Sequence, residues 1–210
     1  MTDWVTISAL ATAGGTLVLA VATFASVRSA NRAARSAEQS LLLGLRPVLM
    51  PSRTQDPAEK IGFMDGYWVN LAGGQGLAEV SDQVLYLAIA LRNVGPGLAV
   101  LHSWSLHPDL MVGDNTRPDP AGFHQLTRDL YVPAGDTGFW QGTYRDPTSP
   151  EFNKAHCVIT TRQPFTIDLL YSDHEGGQRV ISRFALTPGQ DQSWLGAVSH
   201  HWNLDRPNPQ

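Results

Sequence analysis

The chain has 210 residues, 42% of them hydrophobic, with a mean hydropathy of −0.16 and a formal net charge of −4, enough for one membrane segment and a single domain core. From residue 47 onward 11 basic residues stand against 17 acidic ones, a net of −6; this argues against nucleic acid as a partner, because general nucleic-acid binding relies on clustered positive charge. The one cysteine, Cys157, excludes an intramolecular disulfide and fits a reducing compartment.

Residues 5–27 form 23 positions without a charge, a proline or an amide side chain. At about 1.5 Å per residue, a helix of that length covers a hydrocarbon core of about 30 Å. The alternatives are a cleaved signal peptide and a buried core helix. Only Thr2, Asp3 and Trp4 precede the run, so the basic leader of a signal peptide is missing, although Ala20-Val21-Ala22 mimics a cleavage site. No Lys or Arg lies before the span, and Arg28, Arg32 and Arg35 follow it. The positive-inside rule then predicts a single-pass protein of the cell membrane, N-terminus outside and C-terminal domain cytoplasmic, with these three arginines at the inner leaflet. Ser8, Thr12, Thr16, Ala20 and Thr23 recur at helical spacing with Gly15 beside them, a small-residue stripe that permits close packing of a second helix. The bilayer is therefore the expected partner, with a protein partner or a homo-oligomer through the span as the further option.

The helical period continues past the span through Ala30, Ala33, Ala37 and Leu41, and Gly44 and Pro47 supply a stop. One helix over residues 4–43 is predicted. The expected organisation is a transmembrane and juxtamembrane helix over 1–45, a β-sandwich over 46–205 and a disordered tail over 206–210.

Beyond Arg46 the hydrophobic period changes from 3.6 to 2, with turn residues every 8–12 positions. Two hairpins are expected. In one, Leu85, Leu87, Ile89 and Leu91 turn at 93–97 and return through Leu98, Val100, His102 and Trp104 on one face, which sets His102 opposite Leu87 in the core. In the other, Phe165, Ile167, Leu169 and Tyr171 turn at 173–177 into Val180, Ser182, Phe184 and Leu186; pairing Tyr171 with Val180 sets Asp168 opposite Arg183 on the far face. Shorter strands are predicted at 46–52, 59–63, 67–71, 129–132, 138–144 and 193–202, the second and third joined at Asp65-Gly66. Helices are predicted at 118–127 and 150–160, and 70–80 reads as a glycine-rich loop. The fold class is mainly β: an N-terminal single transmembrane helix, then an antiparallel β-sandwich, immunoglobulin-like in one version, with one or two short helices.

The order of an uncharged span, then Asn31-Arg32-Ala33-Ala34-Arg35-Ser36-Ala37-Glu38, then Leu45-Arg46-Pro47-Val48-Leu49, then Leu91-Arg92-Asn93-Val94-Gly95-Pro96-Gly97-Leu98-Ala99 resembles a group of uncharacterised bacterial, mainly actinobacterial, membrane-anchored proteins. Asp173-His174-Glu175-Gly176-Gly177-Gln178 and His201-Trp202-Asn203-Leu204-Asp205 extend the likeness towards the C-terminus. It implies architecture and carries no activity.

No P-loop, Gly-x-Ser-x-Gly elbow, His-Glu-x-x-His or cysteine pair is present, and Gly74-Gln75-Gly76-Leu77-Ala78-Glu79 fails the dinucleotide fingerprint at its last position. No catalytic residue, metal ligand or cofactor is therefore expected, and Cys157 reads as a small apolar packing residue. Asp173, His174 and Glu175 in a turn, with Trp202 from the last strand, form the candidate patch for a partner or ligand. The expected function is a membrane-tethered interaction or ligand-binding module without enzymatic activity. A small hydrolase or metal-dependent enzyme on a β-sandwich and an oligomeric envelope component are the alternatives.

Overall fold

A computed structural model describes residues 3–111, 113–190 and 192–205; the tail expected at 206–210 lies outside them. The chain divides into two compact units, Met1–Gly44 and Leu45–Gln210. The first is one helix, α1 (Trp4–Gly44). Within it Ile7–Glu38 is long and apolar enough to cross a membrane, with a mean hydropathy of 1.8 in its most apolar window and none of that window buried against protein. At about 1.5 Å per residue α1 runs about 60 Å, roughly twice the thickness of a hydrocarbon core.

The second unit is a β body with strands β1 (Leu49–Pro51), β2 (Glu59–Gly62), β3 (Trp68–Leu71), β4 (Gln75–Ser81), β5 (Val84–Asn93), β6 (Ala99–His107), β7 (His124–Val132) and β8 (Thr137–Tyr144), then helix α2 (Pro150–Thr160), then β9 (Phe165–Ser172), β10 (Val180–Pro188) and β11 (Trp194–Asn203). One antiparallel sheet runs β7-β6-β9-β10-β11-β4-β5, with β1 beyond β4 along one edge of β5 and β8 along its other edge. The sheet curls at β4–β11, where only Gly76↔Trp194 and Gln75↔Leu195 pair. Leu87, Ile89, Trp140, Ile167 and Phe184 point into one continuous core inside the curl. Helix α2 closes that core with Phe152, Ala155, Val158 and Ile159. Ser149 caps it, accepting from the Phe152 N–H at 3.1 Å, and Pro150 starts it at a position whose N–H has no helical partner anyway.

The β9–β10 hairpin has the expected register: Val180↔Tyr171, Phe184↔Ile167, Leu186↔Phe165 and Arg183↔Asp168. The other expected hairpin does not form. Strand β5 pairs with β1, β4 and β8, and β6 pairs with β7 and β9, so residues 93–97 carry the chain between distant parts of the sheet. The cause is burial on both sides of β5. Leu85, Leu87, Ile89 and Leu91 face the core, while Tyr86, Ala88 and Ala90 lie under the β2–β3 hairpin, packed by Ile61, Phe63 and Leu71. A bulge then displaces the expected face of β6: Leu101 pairs with Tyr171 but Ser103 with Leu170, so His102 is the extra residue. Ala99, Leu101 and Trp104 are the core residues, and Leu98 and Val100 are only half-buried.

Three further expectations are corrected. Residues 75–81 are strand β4 rather than loop; Gly76 is needed because a Cβ there would come within 2.5 Å of Leu186 Cδ2. The helix expected at 118–127 is one 3-10 turn, Pro120–Gly122, followed by β7. Cys157 is exposed on α2 rather than packed.

The β2–β3 hairpin forms a separate two-stranded sheet. The Tyr86 hydroxyl donates to Asp65 at 2.6 Å, Tyr67 donates to Glu79, and the two phenol rings stack with centroids 4.3 Å apart. The Glu79 hydrogen bond first, and burial second, push the Tyr67 phenol up to about 12; burial and then Asp65 do the same for Tyr86. Both folded values lie above the ordinary 10.0, so the contribution is complete below pH 10 and is lost as pH rises through about 12. We expect the hairpin to release in that window, ahead of the core, seen as phenolate absorbance rising together with a change in Trp68 emission. A Tyr67→Phe, Tyr86→Phe variant should lose that early step.

Candidate functional site

The turn 173–178 and the end of β11 do meet. Val180↔Asn203 and Ile181↔Trp202 pair, Leu204 N–H donates to the Arg179 carbonyl at 2.9 Å, and Arg179 grips Asp205 at 2.6 Å. Their side chains do not make an open patch. Asp173 is 1% exposed, and its carboxylate accepts from the Gly177 N–H at 2.9 Å and from the Gln178 amide at 3.2 Å, so it holds its own turn. Trp202 is 2% exposed, with its indole N–H on the Asn115 carbonyl at 3.2 Å and the Arg183 guanidinium 4.7 Å from its ring. Only His174 and Glu175 face solvent, 3.2 Å apart.

The polar groups of the β9–β10–β11 sheet are likewise committed. Asp168 and Arg183, both buried, form a bidentate pair at 2.8 and 2.9 Å. It lies on the face away from the core. His107 approaches the same carboxylate at 3.0 Å, and Arg183 also donates to the Asp114 carbonyl at 3.1 Å, so the segment after β6 is drawn over the sheet. Two Ser–His contacts have hydrolase-like spacing: His102 Nε2 to Ser172 Oγ at 2.7 Å and His201 Nδ1 to Ser182 Oγ at 2.6 Å. Both serines are fully buried. Ser172 donates to the Asp173 carbonyl, and Ser182 is shared with the Tyr171 hydroxyl, which itself accepts from Leu49 N–H. A substrate carbonyl has no path to either hydroxyl, so these pairs tie strands. Burial holds both histidines below the ordinary imidazole range; Arg46 and His200 add to this at His201, while Asp129 opposes it at His102.

One opening on the body retains unspent polarity. Strands β7 and β8 are consecutive and antiparallel, yet they share no ladder; they are the two ends of the curled sheet. At the turn between them Val132 lies within about 3 Å of where a Gly138 Cβ would be. Farther along, residues 126–129 leave the β6 ladder, because β7 passes from Leu130↔Leu101 to Gln125↔Ser103. The seam leaves a groove of about 190 Å³ lined by Trp104, His124, Gln125 and Thr127 on one side and by Gln141 and Thr143 on the other, with Gly142 and Leu126 between them. No residue lining it carries a fixed charge. Arg128 borders it, donating to Gln141 Oε1 at 2.9 Å. Trp104 packs against His124, Trp140 and Tyr144 with centroids 5.0–5.2 Å away, so the aromatic floor is rigid. Gly142 makes room for it: a Cβ there would sit 2.7 Å from Trp140 and 2.9 Å from Trp104. Burial keeps the Tyr144 phenol protonated far into the alkaline range. An uncharged aromatic floor with amide and hydroxyl walls suits a small, neutral, hydrogen-bonding molecule.

The sequence pointed elsewhere because 118–127 read as helix. The usable signal was the alternation of Leu126, Leu130 and Val132, interrupted by Arg128.

On α1 the small-residue stripe is exposed throughout. Thr12, Thr16 and Thr23 donate to carbonyls of Ser8, Thr12 and Leu19 at 2.7–2.9 Å, so these three hydroxyls are satisfied inside their own helix. Gly15 and Ala20 lie among them with no neighbour pressed on Gly15. Arg28, Arg32 and Arg35 share one face with Phe24, Val27 and Asn31. Among the described residues no group of three His, Cys, Asp or Glu side chains is placed to hold a metal ion. Comparison of the chain with protein-family models, with curated proteins and with solved structures finds no match.

Proposed function

We propose that the protein is a membrane-tethered ligand-binding module: α1 spans the cell membrane once with its N-terminus outside, the β body sits in the cytoplasm, and the β7–β8 groove takes a small uncharged polar molecule. The observation that carries the tether is α1 itself, whose apolar window is bare on every side, an arrangement that water penalises and lipid rewards. The orientation draws on three arginines following the span and none preceding it. The binding role draws on the groove, where an aromatic floor meets the exposed Gln125 and Thr127 side chains on one wall and Gln141, already held by Arg128, on the other. Holding such a body at the bilayer raises its local concentration for neighbours in the same membrane.

The test is the Trp104 indole N–H resonance of the full chain in nanodiscs, identified by its loss in Trp104→Phe, followed while uncharged metabolites are added. We expect one class to move it, and the exposed-wall variant Gln125→Ala, Thr127→Ala to abolish the shift while the fold is retained. A resonance that no compound moves, with the same molecules co-purifying from native membranes with wild type and variant, refutes the site. A reporter fused to Gln210 that works only outside the cytoplasm refutes the orientation.

A further inference from the structure

Among the described residues the two most exposed large hydrophobic side chains of the β body are Met64, 74% exposed, and Trp68, 61% exposed. They lie four positions apart at the tip of one hairpin, β2–β3, whereas single exposed apolar residues elsewhere on a surface are ordinary. The hairpin's inner face is spent: Ile61, Phe63 and Leu71 pack on Tyr86, Ala88 and Ala90. Its outer face carries Trp68 lying flat across the strand pair. The ring rests where Gly62 has no side chain, since a Cβ there would fall 2.7 Å from the indole, and the Lys60 ammonium stands 5.1 Å from the ring centroid. The fold therefore holds an indole open to solvent in a fixed pose, with a cation beside it.

The carboxylate at this tip, Asp65, is already paired with a cation. Asp65 accepts from Arg145 at 2.9 Å, from the Tyr86 hydroxyl at 2.6 Å and from the Tyr67 N–H at 3.2 Å. Glu79 accepts from the Tyr67 hydroxyl. Tryptophan and lysine are the side chains that settle at the headgroup level of a bilayer, the ring among glycerol and carbonyl groups and the ammonium at phosphate. The same chain carries a helix that can keep the body beside such a surface.

We propose that the β2–β3 tip is a second membrane contact, with Met64 and Trp68 entering the headgroup–acyl boundary and Lys60 meeting lipid phosphate. The proposal rests on reading α1 as a span. It assigns the hairpin a partner of defined chemistry, a phospholipid interface, separate from the ligand groove.

The test uses the full chain carrying Cys157→Ser in phosphatidylcholine–phosphatidylglycerol vesicles, with single spin-labelled cysteines at Met64→Cys, Leu17→Cys and Glu175→Cys. Collision of each label with oxygen, which concentrates in lipid, is compared with collision with a water-soluble nickel chelate. The expected result is lipid-like accessibility at 64 and 17 and water-like accessibility at 175, with Trp68→Ser returning position 64 to the level of 175. Water-like accessibility at 64 beside lipid-like accessibility at 17 overturns the hairpin contact and leaves the span standing. Water-like accessibility at both overturns the span and the contact with it.

Discussion

Replacing Asp168 by alanine is expected to destabilise the β body by about 3–5 kcal/mol, the usual cost of stranding one partner of a buried ion pair. Arg183 is 2% exposed and cannot swing to water, so its guanidinium would keep only the Asp114 carbonyl at 3.1 Å, the half-exposed Asp114 carboxylate at 3.9 Å and the Trp202 ring. His107 would lose its contact with the carboxylate at 3.0 Å, and the segment drawn over β9 and β10 would lose an attachment. The pair's own worth is a separate quantity. Desolvating both charges costs nearly as much as their attraction returns, so the double variant Asp168→Leu, Arg183→Met, of similar volume and without charge, is expected within about 1 kcal/mol of wild type. Urea unfolding of the full chain in detergent, followed by near-ultraviolet circular dichroism, measures both: a midpoint falling sharply for the single change and returning for the double one, at an unchanged slope. A single variant within about 1 kcal/mol of wild type would mean that water reaches Arg183 after all.

The same pair shows what the sequence made legible. In the β9–β10 hairpin two faces constrain one register: apolar residues align on the core side only when Asp168 meets Arg183 on the other, and a slip of one residue would spoil both. The long apolar helix was legible for a similar reason, since 23 uncharged residues without a proline suit one continuous helix, and α1 runs through all of them. Strand β5 was not. With leucines and isoleucine on one face and Tyr86, Ala88 and Ala90 buried on the other, its alternation selects no partner, and its real neighbours β1, β4 and β8 lie far from it along the chain or behind a turn. Glycines misled at β4, where Gly76 admits a leucine rather than loosening a loop. The groove was least legible, because it arises where β7 bulges from β6 and does not pair with β8, and a failure of two strands to pair leaves no pattern in either.

Asn93 is where the largest single loss is expected. Read along the chain, Asn93-Val94-Gly95-Pro96-Gly97 is a turn; in the fold it is the knot that fastens the start of the body. The side chain is fully buried, accepts from Val48 N–H at 3.1 Å and Gly95 N–H at 3.0 Å, and donates to the carbonyls of Gly97 at 2.6 Å and Val132 at 3.0 Å. Its main chain is committed too, bonding Asp136 and Gly135 across the β7–β8 turn. The glycines beside it are part of the same device, for a Cβ on Gly97 would fall 1.8 Å from the Leu45 carbonyl oxygen and one on Gly95 2.4 Å from that of Arg46. Asn93→Ala leaves up to four buried backbone groups without this partner, and at about 1–3 kcal/mol each, partly recovered by relaxation, the expected loss is about 4–6 kcal/mol. Asn93→Asp separates the two halves of the role: it keeps both acceptors, loses both donors and turns a carboxylate towards two carbonyl oxygens, so it should be no better than alanine at neutral pH and should recover as the carboxyl is protonated in acid. Amide exchange supplies the local readout. Protection should fall first at Val48, Gly95 and Gly135, with Trp194 and Phe184 in the opposite part of the core retaining theirs until global unfolding. Uniform loss of protection across the body, with no order among these amides, would place the fastening elsewhere.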